Sequence, residues 1–379
     1  MSRNPVNEEW KVPYNYLPQQ FNSREDIFNE WKKLAETSEF TLGPKVKESE
    51  ENFARYVGAK YCIATNNGTD ALILALKAYG IKEGDEVITV PNSFYATTGA
   101  IVNCGAKPVF VDVDSNHQID AEQVENAIKK NTRAILPVYW GGSSPDMFHI
   151  CEIAKRYNLV VIEDACMGIG GKHREIPQGR FGNIGAFSMH PLKSLNVMGD
   201  GGMLVTDDIE KYKWMSMYRN HGMTDRDHIK IWGVNMRIQP IQAIVASLEL
   251  PKIDQIIISR NQNAKFLDTE LEQLIPHIKI PHRHNYDLNT YSLYMVECEK
   301  RDELINHLRA KSIDAKIHYP VPLHLQDAAK SLGYSKGSFP IAESQAVKIL
   351  TLPVHQFLDS DQLIYMVDCI KDFYSRIKI

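Results

Sequence analysis

Residues 159–165 read Leu-Val-Val-Ile-Glu-Asp-Ala, an unbroken aliphatic run that ends in two acids. A short apolar run with no polar alternate marks a strand covered on both faces, and such strands belong to parallel sheets flanked by helices. A carboxylate at the end of a buried strand is costly unless it meets a cation or a strong donor. In open parallel sheets, that end of the strand is also where ligands gather. The stretch therefore sets an expected α/β fold and a first candidate residue, Asp164.

The same pattern repeats outward from it. Towards the N-terminus, apolar strands are predicted at 61–64, 86–90, 108–112 and 134–138. Helical periodicity alternates with them at 69–79, 95–104, 121–129 and 146–157. Alternation of this kind predicts a mostly parallel sheet. Before it, residues 22–56 read as helix interrupted at Thr41-Leu42-Gly43-Pro44, where glycine and proline end one helix and open the next. Towards the C-terminus, Phe187-Ser188 and 203–206 add two strands, and the Asp-Gly step in Gly199-Asp200-Gly201-Gly202 suits a tight reversal between them. Beyond about Pro251 the pattern changes to a long helix near 253–274, a strand near 291–296, and helices near 301–311 and 360–377. The expected division is a large domain over 1–250 and a smaller α+β domain over 251–379.

Composition narrows the class. A chain of 379 residues is long enough to bury a sizeable core. Its 43 Lys and Arg against 47 Asp and Glu give a net charge of −4 with no long run of one sign, so neither nucleic acid nor an anionic membrane is an expected partner. The six cysteines form no C-x-x-C pair, which suits free thiols in a reducing compartment. The polar N-terminus and the lack of a spanning-length apolar run point to the cytoplasm.

Two further features carry chemistry. Gly68-Thr69 follows a strand and opens a helix, so its backbone N–H groups and the helix N-terminus suit a phosphate, although Thr69 as a plain helix cap reads the same way. Lys193 sits in a loop just after the strand ending at Ser188. A lysine held in a cleft condenses with a carbonyl cofactor when its pKa is lowered, while a lone loop lysine is more often solvated. A phosphate turn, an acidic strand end and a loop lysine, in that order on one sheet, raise the value of all three. The histidines His190, His282 and His284 lack ligand spacing, so no metal is expected.

The motifs also carry a family resemblance. Thr41–Pro44, Asn67–Leu72, Gly84–Ile88, Pro108–Asp114, Glu163–Ala165, Phe187–Lys193, Gly199–Gly202, Arg219–Gly222 and Gly233–Arg237 together resemble the pyridoxal-phosphate-dependent sugar aminotransferases of the DegT/StrS type. The resemblance implies the type I fold of aspartate aminotransferase, with a seven-stranded sheet. It implies that Lys193 holds pyridoxal 5'-phosphate as an internal aldimine and, once released, moves the substrate proton. Asp164 would hold the pyridine nitrogen, while Gly68, Thr69 and Ser188 would bind the phosphate. Asn235 would reach that phosphate from a second subunit, which makes a homodimer with shared active sites. Tyr95 would stack on the ring, with an ordinary half-buried helix tyrosine as the alternative. His318 and Tyr319, in the loop 316–324, would face the substrate, with loop packing as the alternative for His318.

Two positions depart from the family pattern. Met167 stands where glutamine or histidine usually contacts the ring hydroxyl, and Tyr139 where histidine is common. The implied activity is transfer of an amino group from L-glutamate to a keto-sugar, expected to be nucleotide-linked and aminated at C3, for glycan synthesis. Three alternatives stay open here: a free keto-sugar or keto-sugar acid as acceptor, a sugar dehydratase using the same cofactor, and a non-catalytic cofactor-binding regulator. The dehydratases carry histidine in place of the lysine, so Lys193 argues against them.

Overall fold

In the computed structural model of the chain, residues 10–376 are described. Residues 1–9 and the expected end of the last helix, at 377, lie outside them. A seven-stranded sheet forms the centre: β1 (Tyr61–Thr65), β2 (Glu86–Thr89), β3 (Lys107–Phe110), β4 (Thr132–Ile135), β5 (Val160–Asp164), β6 (Ile184–Ser188) and β7 (Gly202–Thr206). The spatial order is β1-β7-β6-β5-β4-β2-β3. The neighbours from β3 to β6 run parallel, and β7 alone is antiparallel to both of its neighbours. Ile88, Ile135 and Ile162 have no exposure, as expected of strands covered by helices on both faces.

The helix Gly68–Ala78 buries seven of its residues, from Gly68 to Ala78, and so lies inside the molecule rather than on it. Its N-cap is Asn67, whose side chain accepts from Asp70 N at 2.7 Å; Thr69 is not the cap. The predicted break at 41–44 is present. Leu42 and Gly43 take positive φ angles of 53° and 82°, and the next helix is Gly43–Val57.

The sequence reading misplaces some elements. The tight reversal expected at 199–202 does not form. β6 and β7 pair from Ser188 opposite Gly202, and the whole stretch 189–201 connects them as a wide loop. Gly202 is needed for space: a Cβ there would lie 2.3 Å from the carbonyl oxygen of Asn67. The strand expected at 291–296 runs Tyr294–Cys298, because Thr290 and Ser292 instead turn to the backbone oxygen of Met167. The helices Ile209–Tyr218, Pro240–Glu249 and Pro340–Lys348 were not anticipated.

Two hydrophobic cores result. The larger surrounds the central sheet; the smaller gathers Val12 with residues between Ala264 and Tyr374. It packs around the antiparallel strands Ile278–Lys279, Tyr294–Cys298 and Ile349–Leu352. The helix Ile253–Leu271 belongs to both, giving Ile253, Ile256 and Ile257 to the first core and Ala264, Leu267 and Leu271 to the second. No helix among the described residues is long and apolar enough to cross a membrane.

Candidate active site

A cavity of about 490 Å³ opens where β5, β6 and the N-terminus of the helix Gly68–Ala78 converge. Gly68, Thr69, Asp164, Ser188 and Lys193 all line it, together with His318 and Tyr319 from the loop 316–324. Three separate strand-to-loop transitions thus point at one space, as the crossover geometry of a parallel sheet requires.

Gly68 opens the cradle. A Cβ at this position would lie 2.8 Å from Ser188 Cβ and 3.1 Å from both Ser188 Oγ and Cys166 Sγ, so only glycine leaves the space free. As the first residues of a helix, Gly68 and Thr69 have N–H groups with no intrahelical carbonyl to reach. Those donors, the hydroxyls of Thr69 and Ser188 and the positive end of the helix make an anion site.

Asp164 ends β5 and is 4% exposed. Its Oδ2 accepts from Thr97 Oγ1 at 2.7 Å, and its Oδ1 accepts from the backbone N of Cys166 at 3.2 Å. Ser93 Oγ lies 2.6 Å from Thr97 Oγ1 and extends the chain of hydroxyls. Neither partner of the carboxylate is a cation, so a positively charged group arriving in the cavity meets a buried negative charge.

Lys193 is half-buried in the loop 189–201. Burial pulls its pKa down, opposed by the nearby Cys166 and Asp164, and the net shift is downward. A larger share of its amine is therefore free near neutral pH than in an exposed lysine. The same surroundings hold the thiol of Cys166 protonated, since burial and Asp164 both push its pKa well up.

A sequence profile of the DegT/DnrJ/EryC1/StrS aminotransferase family matches residues 22–371. The chain belongs to this family. It is 38% identical to a pleiotropic regulatory protein of Geobacillus stearothermophilus over 96% of this chain and 98% of that one. It is 35% identical to the dTDP-3-amino-3,4,6-trideoxy-alpha-D-glucose transaminase of Streptomyces venezuelae over 91% of each. Among solved structures, S. venezuelae DesV in complex with a ketimine intermediate superposes with a TM-score of 0.94 at 34% identity, covering 98% of this chain and all of that one. The fold and the enzyme class follow: this DegT/StrS protein is an aminotransferase with the architecture expected above.

The family depends on pyridoxal phosphate, and the residues of this member fit that group. Gly68 leaves the space for a phosphate that any side chain would fill. Asp164 offers a buried carboxylate without a cation, suited to a protonated pyridine nitrogen. Lys193 lines the same cavity and offers an amine whose pKa burial lowers.

Tyr95 and Asn235 do not line this chain's cavity. Tyr95 does not line the cavity; it is 54% exposed, and its ring lies beside that of Tyr319 at 5.7 Å. Phe94, one residue earlier, lines it instead. Phe94 is still extended (φ −66°, ψ 152°) on the approach to the helix Tyr95–Asn103, and its ring stays beside that of Tyr95, with centroids 4.8 Å apart. Asn235 is exposed, outside this chain's cavity, with its Oδ1 accepting from Arg237 Nε at 3.1 Å.

The departures from the family pattern have distinct places. Met167 lines the cavity, while its backbone oxygen accepts from Thr290 and Ser292. Tyr139 is fully buried and does not line the cavity; its hydroxyl donates to Glu163, whose carboxylate also accepts from the backbone of Gly179 at 3.0 Å and of Gly182 at 2.5 Å. Burial pushes the Glu163 pKa up to about 6 against these donors. His318 accepts or donates at Nδ1 to Thr351 Oγ1 over 3.0 Å, and burial lowers its pKa to about 4, so it is neutral near pH 7. His282 and His284 meet edge to face with ring centroids 4.5 Å apart.

Sequence reasoning missed Phe94, Thr97, Trp140 and Tyr14, all of which line the cavity. Thr97 had a local signal, since it lies one helical turn beyond Phe94 on the same face. Tyr14 had none, because the N-terminal segment reaches the site only through tertiary packing.

Proposed function

We propose that this enzyme transfers an amino group from L-glutamate to a ketone carbon of a sugar, with a nucleotide-linked 3-keto-hexose as acceptor, making an amino-sugar for glycan synthesis in the cytoplasm. The observation that carries the reading is the gathering of Lys193, Asp164 and the Gly68 cradle in one cavity. At about 490 Å³ that cavity is also of the size that takes a cofactor together with a small substrate. The transaminase of S. venezuelae, acting on a dTDP-linked amino-sugar by name, supports the substrate class.

In this reading, pyridoxal phosphate, attached to Lys193 at rest, supplies a ring that accepts the electrons released when a substrate C–H bond breaks. The N–H groups of Gly68 and Thr69 and the hydroxyl of Ser188 grip the phosphate. Asp164 accepts the proton-bearing ring nitrogen, and Thr97 keeps the carboxylate in place. The amine of Lys193, when free, takes the proton from the α-carbon of glutamate, and in the second half-reaction returns a proton to the sugar carbon that gains nitrogen. 2-Oxoglutarate leaves before the keto-sugar enters. Neutral His318 and Tyr319 contact the sugar. Lys193 favours transfer over dehydration, since the related dehydratases carry histidine there.

The active unit in this reading is a homodimer in which Asn235 completes the phosphate site of the second copy. Exposure of Trp232 at 87% and Ile229 at 52%, beside Asn235, supports it, because large apolar side chains rarely stay in water without a partner. The division into two domains near residue 250 is part of the same reading.

The test is the visible absorbance of the purified protein before and after L-glutamate, followed by a panel of nucleotide-linked and free keto-sugars. Loss of the cofactor band with glutamate and its return with one keto-sugar are expected. A band that glutamate leaves unchanged would sink the choice of donor.

A further inference from the structure

Arg260, on the helix Ile253–Leu271, is 2% exposed, and no carboxylate of the described residues lies within 4.0 Å of it. A buried cation without a counter-ion is costly, and an apolar side chain would pack there at lower cost. The donors of Arg260 go to neutral acceptors on separate segments: Nε to Gln356 Oε1 at 3.1 Å, Nη1 to the backbone oxygen of Tyr291 at 3.3 Å, and Nη2 to the hydroxyl of Tyr16 at 2.9 Å. The guanidinium also lies over the Tyr16 ring, 5.4 Å from its centroid.

The direction of the last bond decides the next one. A guanidinium only donates, so the Tyr16 oxygen accepts from Arg260 and its single proton must go elsewhere. It goes to the backbone carbonyl of Lys193, at 2.9 Å. The charge behind the phenol polarises it and strengthens it as a donor. The same N-terminal segment grips the loop again past the lysine, where Asn196 Nδ2 donates to Gln20 Oε1 at 2.9 Å.

We propose that Tyr16, oriented by Arg260, is a positioning residue for Lys193: it fixes the lysine backbone so that only the side chain moves between its attached and free states. The inference rests on the reading of Lys193 as the reactive amine. A lysine side chain has four rotatable methylene links, and an error in the placement of its Cα is carried to the nitrogen. Geometry of this kind enters the rate of proton transfer rather than the affinity for substrate.

The experiment uses the cofactor-loaded protein and the single-turnover reaction with L-glutamate. Tyr16→Phe keeps the ring packed on His355 and Phe357, whose centroids lie 5.2 and 6.0 Å away, and removes only the hydroxyl. The rate constant is expected to fall about five- to ten-fold, the value of one hydrogen bond, with the half-saturating glutamate concentration unchanged. Any packing role would lower thermal stability in the same variant, so stability does not discriminate; the split between rate and saturation does. Arg260→Gln removes the charge, and combining it with Tyr16→Phe is expected to add no further loss of rate, since both act through one path. A Tyr16→Phe protein with the wild-type rate, or losses that simply multiply in the double variant, overturns the proposal. Lys193→Ala separates the two claims: if it keeps the cofactor band shift and turnover, the role of Lys193 itself is wrong, whatever Tyr16 does.

Discussion

The hydroxyl of Thr97 donates to Oδ2 of Asp164 at 2.7 Å. Thr97→Val keeps the shape and removes the donor. Hydrogen bonds to charged groups contribute about 1.5–3 kcal/mol, so the cofactor-free protein should lose about 2 kcal/mol in urea unfolding. Pyridoxal phosphate should also be held more weakly in an absorbance titration, because the carboxylate is free to turn away from the ring nitrogen.

Gly68→Ala tests the cradle. A methyl group at the start of a helix interior would normally favour folding by up to about 1 kcal/mol, yet here it meets Ser188 at 2.8 Å and Cys166 at 3.1 Å. Overpacking of this type costs about 1–3 kcal/mol. The net outcome expected is a small loss of thermal stability with a large loss of cofactor affinity. Unchanged affinity would place the phosphate elsewhere.

Acid should destabilise the fold between about pH 6.5 and pH 4. His117, His318 and His355 each have their pKa lowered from 6.5 to about 4, mainly by burial. A folded value below the unfolded one means that the unfolded chain takes up the proton first as pH falls, so stability present above pH 6.5 is lost progressively down to about 4. For the fully buried His117 this amounts to at most about 3 kcal/mol. Glu163, raised to about 6 by burial, works in the opposite sense over a narrower window, as do Asp70 and Asp114, whose pKa values burial also raises. Urea midpoints measured across this range should therefore fall on acidification, and His117→Asn should flatten the slope.

His318→Asn should spare the reaction with glutamate and slow the reaction with the keto-sugar. His318 lines the cavity beside Tyr319 and keeps a bond to Thr351. Separate half-reaction kinetics check this. Equal losses in both halves would assign His318 to loop packing.

Trp232→Asp should convert the proposed homodimer to a monomer in analytical ultracentrifugation and weaken cofactor retention at the same time. The tryptophan is 87% exposed in a single chain and lies three residues before Asn235. A monomeric variant that still holds the cofactor tightly would remove Asn235 from the phosphate site.

Much of this architecture was legible because it rests on local signals. Runs such as 159–162 and 86–90 declare buried strands by composition alone, and the Gly68 turn, Asp164 and Lys193 follow from where those strands end. Phe94 and Tyr95 stand side by side at a strand-to-helix turn, and sequence does not say which of two adjacent rings lines the cavity. The reversal expected at 199–202 failed for a related reason. An Asp-Gly step is permissive of a tight turn, but Gly201 and Gly202 are small because Met189 and Asn67 pass beside them. Arg260 and Tyr16 were invisible, being 244 positions apart in the chain and joined only by packing.

The loop that carries Lys193 leaves the sheet at Ser188 and returns at Gly202, and those two residues are paired partners on adjacent strands. Its ends are therefore fixed to each other by the sheet, whatever lies between them. Between those ends Met189, Leu195 and Val197 are fully buried, so the span is anchored along its length as well as at its ends. Lys193 thus hangs from a closed span whose two ends cannot drift apart.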